Sequence, residues 1–284
     1  MIMSGGKSMT VKEIVDGMIK KTGVEPIPEG KTCDRLMAGS FDKEVTKIAT
    51  TFMATVDVIK KAAEVGAELI ITHEPTWFTG EDDTHWLEGD PVYAKKKALI
   101  EDTGVAIWRF HDHMHFDTND GIMRGFDEET GWRKYRMEPD PAAQDDWFDY
   151  CYQIPRITLG GLCAFFKRKM QMDTIQIIGD PDMAVERVGV LPGGSSLGIY
   201  TEYMPMELMR RRKLDVIICG EILEWRLAAY VRDSCQLGMQ KAILVLGHER
   251  SEEPGMKHLG EWMKSVVGDI SVVFIDSKEP FTYL

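Results

Sequence analysis

Val56-Asp57-Val58-Ile59-Lys60-Lys61-Ala62-Ala63-Glu64-Val65-Gly66-Ala67-Glu68-Leu69-Ile70-Ile71-Thr72-His73-Glu74-Pro75 is the stretch that decides the fold. Its apolar residues recur at helical spacing up to Val65, and Gly66 suits the left-handed residue that ends a helix. Leu69 to Thr72 is a short apolar run of strand length, and it delivers His73, Glu74 and then Pro75, which stops regular structure. The same order appears twice more. Tyr93 to Glu101 is helical, Gly104 closes it, and Val105-Ala106-Ile107-Trp108 leads to His111-Asp112-His113-Met114-His115. Leu227 to Gln236 is helical, Gly238 follows, and Ala242 to Leu246 leads through Gly247 to His248. Helix, glycine, buried strand and histidine, repeated in this way, predict an α/β fold with mixed sheets. The histidines then lie at the carboxyl ends of strands, where open α/β sheets bind their ligands.

Outward from these units, Thr10 is an expected N-cap for a helix carrying Val11, Ile14, Val15, Met18 and Ile19. Gly23 to Gly30, with Pro26 and Pro28, reads as a loop. The stretch 116–155, rich in Asp, Glu and aromatic residues such as Trp132, Trp147 and Tyr150, reads as an irregular subdomain, with a substrate-covering segment as the alternative. A helix is expected over 160–172, and strands over 174–178 and 185–191 flanking Gly179-Asp180-Pro181. The expected organisation is a tail over 1–9, a ligand-bearing domain over 10–139 with 236–284, and a second α/β domain inserted over 140–235.

With 284 residues, 44% of them hydrophobic and 28% charged, the chain can bury a sizeable core and is not a disordered polymer. A net charge of −12 argues against a phosphate-tracking nucleic-acid surface and against adsorption to an anionic membrane. The five cysteines are scattered, and none is spaced as a disulfide framework or thiolate zinc site. A reducing, cytoplasmic setting is expected. Gly5-Gly6-Lys7-Ser8 resembles the end of a phosphate-binding loop but lacks the first glycine and the preceding strand, so it is read as tail.

Imidazole and carboxylate together are the usual ligands of a first-row divalent metal. His73 and Glu74 form one such pair. His111, His113 and His115 alternate, so an extended chain would turn all three to one face, with one or two reaching a metal; a turn after His111 would undo that facing. His248 and Glu252 are at i and i+4 and can reach one ion, with Glu249 and Glu253 as competing carboxylates. Gly193-Gly194-Ser195-Ser196, after a strand, suits either an anion-binding turn or a plain one. His85 and His258 have no partner pattern and are read as surface or supporting residues.

Ile71-Thr72-His73-Glu74-Pro75 resembles the I-T-H-H-P motif of the Nif-three-like proteins (NGG-one-interacting factor three), also called GTP cyclohydrolase type-two-like. That family's H-T-N-x-D falls on His111 to His115. Its G-H-x-x-x-E-x-P-G is met by Gly247, His248, Glu252, Pro254 and Gly255, and its T-G-E-I-K resembles Cys219-Gly220-Glu221-Ile222-Leu223. The resemblance implies a dinuclear metal site with ligands His73, Glu74, His115, His248 and Glu252, and His111 close by. It also implies a toroidal homohexamer. Two positions depart from the pattern: Glu74 replaces a histidine and His115 an aspartate, an exchange that keeps ligand number and total charge.

The expected function is therefore a metal-dependent hydrolase using two divalent transition-metal ions (Zn, Fe, Mn, Ni or Co). A metal-activated water would serve without a separate general base, and the substrate would be a small nucleotide, cyclic amide or phosphoester. The alternative is a non-catalytic metal-binding scaffold or regulatory interaction protein.

Overall fold

A computed structural model describes residues 8–141, 149–199 and 201–284. Trp147 and the tail up to Lys7 lie outside the described residues. In chain order the elements are β1 (Met9–Thr10), α1 (Val11–Thr22), β2 (Leu36–Ala38), β3 (Glu44–Val45), β4 (Lys47–Thr51), α2 (Val56–Glu64) and β5 (Leu69–Thr72). Next come α3 (Pro91–Thr103), β6 (Ala106–Arg109), α4 (Asp112–Phe116), α5 (Gly121–Thr130), β7 (Cys151–Thr158), α6 (Leu159–Lys169), β8 (Gln176–Ile178) and β9 (Ala184–Leu191). The chain ends with α7 (Met204–Arg211), β10 (Val216–Cys219), α8 (Ala229–Gln236), β11 (Ala242–Val245), α9 (His248–Lys257), α10 (Leu259–Val267) and β12 (Ser271–Phe274). The chain divides into two compact units, Met1–Gly125 with Gly255–Lys278, and Phe126–Pro254 with Glu279–Leu284.

The first unit holds a five-stranded sheet of order β12-β4-β5-β6-β2, parallel except for the edge strand β2. Its central strands carry continuous apolar runs, Ile48–Ala49, Leu69–Ile71 and Ala106–Trp108, because both faces are covered. Leu69, Ile71 and Trp108 pack with Ile14, Met18 and Met263 on one face. Ile70 and Ile107 pack with Ile59, Ala62 and Ile100 on the other. Full burial of each such side chain contributes about 1.5–3 kcal/mol. Thr10 caps α1 through a reciprocal bond with Glu13, as its position predicts. Gly66 and Gly104 adopt φ of 73° and 64°, the left-handed turn that lets each helix run straight into the next strand. Met9 belongs to β1, paired with Val45, and not to a loose tail.

The second unit holds a five-stranded sheet of order β7-β9-β10-β11-β8, with β9, β10 and β11 parallel and both edges antiparallel. The α/β architecture with mixed sheets is thus the one the sequence predicts. β8 and β9 flank the Gly179 turn as predicted, and β8 pairs with β11 and β9 with β7 and β10. Two placements differ from expectation. β11, expected in the ligand-bearing domain, hydrogen-bonds along β10, so contacts draw the borders near 125 and 255 rather than at 139/140 and 235/236. Lastly, the aromatic segment is partly core: Trp132 packs on Phe126, Tyr152 and Phe166 at ring separations of 6.1, 5.5 and 5.4 Å.

Candidate functional site

Strand register decides where the candidate ligands emerge. Thr51, Thr72 and Arg109 are aligned across β4, β5 and β6, so His73 and His111 leave the first sheet at one edge. The rings of His73 and His111 stack 4.5 Å apart, and those of His115 lie 5.0 and 4.7 Å from them. One ligand atom from each of the three falls within 4.8 Å of the others. Oε1 of Glu74 is 3.8 Å from Nε2 of His111. His73, Glu74, His111 and His115 are thus brought together in the first unit.

The facing expected of an extended His111–His115 segment is corrected. The chain turns into α4 directly after His111, because Asp34 accepts the amides of His111, Asp112 and His113 at 2.6, 2.7 and 3.0 Å. The His115 amide bonds to the His111 carbonyl, so positions 111 and 115 share a face one helical turn apart and 113 points elsewhere. The Ile27 amide donates to Nε2 of His113, which makes Nδ1 the protonated nitrogen that donates to Asp34 at 2.7 Å. With both nitrogens engaged and the side chain buried, His113 is structural.

The other three imidazoles are oriented as metal-binding histidines are. Nδ1 of His73 bonds to the Phe110 carbonyl at 3.1 Å, Nδ1 of His111 to Asp112 at 3.0 Å, and Nδ1 of His115 to Asp120 at 2.9 Å. An acceptor on Nδ1 fixes the proton there and leaves the Nε2 lone pair as donor, the usual support beneath a metal-bound histidine. The residues present therefore fit a divalent transition metal. Burial pushes the Asp112 carboxyl up, but bonds from His111, Thr32 and the Cys33 amide outweigh it and hold the carboxyl well below its usual range. Asp120 is likewise raised by burial and held low by His115 and the amides of Met123 and Ile122. Cys33 also lies with His111 and Asp112, but burial pushes its thiol far up, keeping it neutral and a poor donor.

In the second unit, Leu191, Cys219 and Val245 are aligned across β9, β10 and β11. Just beyond them come Gly193, Glu221 and His248. Gly247, at φ 85°, turns β11 into α9. Nε2 of His248 is 3.2 Å from Glu252 and Nδ1 is 3.4 Å from Glu221. Of the competing carboxylates, Glu249 and Glu253 both pair with Arg250, which leaves Glu252 as the one beside His248. The Gly193 turn has a steric role: its amide donates to Ser251 Oγ at 2.9 Å, and a Cβ there would run into Glu252 and His248. His85 is exposed beside Asp83, and His258 is half-buried at the start of α10.

Several residues of the candidate site are not legible in the sequence alone. Glu221 sits at a strand end in the T-G-E-I-K-like element, and that position was its only signal. Asp34, Asp112 and Asp120 act on histidines through folded contacts, two of them local in sequence and one 79 residues away.

A strand-end histidine cluster on an α/β sheet, in a chain with a second histidine–carboxylate pair, defines a class of candidate metalloproteins. The chain belongs to the Duf34/NIF3 (NGG1p interacting factor 3) family, whose model matches residues 9–280. It is 24% identical over 284 residues to a GTP cyclohydrolase 1 type 2 homolog of Clostridium perfringens, covering 97% of this chain and 100% of the relative. A Clostridium acetobutylicum protein of the same name is 25% identical over 227 residues, 78% of this chain and 77% of the relative. Among solved structures, a Bacillus cereus protein related to NIF3 has the same fold, with a TM-score of 0.71 at 14% identity over 98% of this chain and 100% of that one. A hypothetical Staphylococcus aureus protein gives 0.69 at 17% identity, over 97% and 99%. No helix among the described residues is long and apolar enough to cross a membrane.

Proposed function

We propose that the protein is a metal-dependent hydrolase that takes two divalent transition-metal ions, from among Zn, Fe, Mn, Ni and Co. His73, Glu74, His111 and His115 would hold one, and His248 and Glu252, with Glu221, the other. The observation that carries this reading is the set of three Nδ1 acceptors, Phe110 O, Asp112 and Asp120, beneath three imidazoles that each offer a ligand atom within 4.8 Å of the others. A bound divalent ion supplies Lewis acidity and makes water acidic enough to attack near neutral pH. The chain's own contribution is orientation: buried His73 is rigid, α4 sets His111 and His115 in register, and the Gly193 turn leaves room for Glu252. Names of relatives support a small nucleotide or cyclic amide as substrate class, with phosphoesters suiting the same chemistry. A homohexamer in the cytoplasm completes the proposal.

The test is a hydrolysis screen on nucleotides, phosphodiesters and small cyclic amides, with metal-loaded protein and His248→Ala as control. Turnover lost in the variant supports the reading. Fully loaded protein with no turnover on any class would favour a metal-binding scaffold.

A further inference from the structure

Arg109, the last residue of β6, is buried, and its guanidinium is hydrogen-bonded through Nε and Nη1 to the segment that follows β5. Nε donates to the His73 carbonyl at 3.2 Å, and Nη1 donates to the Gly80 carbonyl at 2.6 Å and to Asp82 Oδ2 at 3.1 Å. Nη2 is 3.8 Å from Oε2 of Glu74. Asp82 is anchored in turn by the Trp77 amide at 2.6 Å and by a left-handed backbone at φ 52°. The guanidinium thus ties together residues 73, 74, 80 and 82. The two oxygens of Glu74 are also distinguished: Oε2 faces Arg109, and Oε1 faces Nε2 of His111 at 3.8 Å. Two donors each about 2.0–2.2 Å from one ion can be no more than about 4.4 Å apart, so the second spacing is short enough for both atoms to serve a single metal.

Resting on the metal-site reading above, we infer that Arg109 is a positioning residue whose charge, 3.8 Å from Oε2 of Glu74, draws that oxygen to itself and turns the other toward His111 and a metal. It also fixes the His73 backbone from which the neighbouring imidazole projects. A lysine could keep the charge but not the planar fork that reaches the His73 carbonyl, Gly80, Asp82 and Glu74 together.

The experiment uses full-length protein titrated with Co(II), followed by visible absorption, in a His248→Ala background so that the first-unit cluster reports alone. Arg109→Met is expected to weaken Co(II) binding about ten- to a hundredfold. The intensity of the visible bands should also fall, as Glu74 swings to bind through both oxygens and coordination number rises. Arg109→Lys should show an intermediate loss, and it carries the comparison if Arg109→Met fails to fold. In a Glu74→Gln background either arginine change should cost clearly less than in the parent, because coupled residues are non-additive, and what remains is the share that acts through His73. Normal binding with an unchanged spectrum in the arginine variants, or losses that simply add to that of Glu74→Gln, would overturn the inference alone. Failure of the parent to take up Co(II) would overturn both the inference and the functional reading.

Discussion

Gly193 faces the Glu252 carboxylate, one helical turn into α9: a Cβ on the glycine would overlap Oε1, so any side chain at 193 must push Glu252 aside. The glycine also has φ 52°, a conformation L side chains resist. Gly193→Ala should destabilise the protein by about 1–3 kcal/mol through overpacking. It should displace Glu252 and lower metal retention as well. Thermal melting and metal analysis of the same preparation check both; a variant with wild-type values would show that the turn yields freely.

His113 and His115, two residues apart, should fail differently. His113→Ala strips Asp34 of a buried partner and should cost about 1–3 kcal/mol with metal content unchanged. His115→Ala should lose metal with a smaller change in stability. Chemical denaturation beside metal analysis separates them, and equal metal loss in both would contradict the structural role of His113.

The exchanged residues Glu74 and His115 should be coupled. Asp120 already supports His115, so His115→Asp alone sets two carboxylates against each other. That variant should bind metal at least about tenfold more weakly, and adding Glu74→His should recover much of the loss. Affinities measured by competition with a chromophoric chelator would reveal independent, additive effects if the two are not compensating.

Lys96 gives a pH signature outside the candidate site. Burial pushes it down to about 8, against a partly restoring pull from Asp82, while its ammonium donates to the Thr76 carbonyl at 2.7 Å. Between about pH 8 and 10.5 the unfolded chain binds more protons at this group than the folded one, so its contribution to stability rises with pH there. Relative to Lys96→Met, the native protein should gain up to about 3 kcal/mol across that window, at 1.36 kcal/mol per unit. Urea midpoints at pH 7.5 and 10.5 test this, and a difference that is flat or falls with pH would contradict it.

The repeated helix, glycine and apolar strand made the central strands and the exit points of His73, His111 and His248 readable, because covered parallel strands leave a continuous apolar run. Pairing order was not readable: β8 is no more apolar than an edge strand needs to be, and nothing local joins it to β11. The course of His111–His115 was hidden for a similar reason. Alternating histidines look extended, but the helix is started by Asp34, which is distant in sequence. Arg109 resembled only the polar end of an apolar strand; its four partners exist only once the loop after β5 has folded.

The most direct test of the central claim is a metal count on protein purified without chelators, by inductively coupled plasma mass spectrometry. The account predicts about two transition-metal ions per chain, falling to about one in His73→Ala and in His248→Ala. Substoichiometric metal that added Zn, Mn, Fe or Co cannot restore would contradict it.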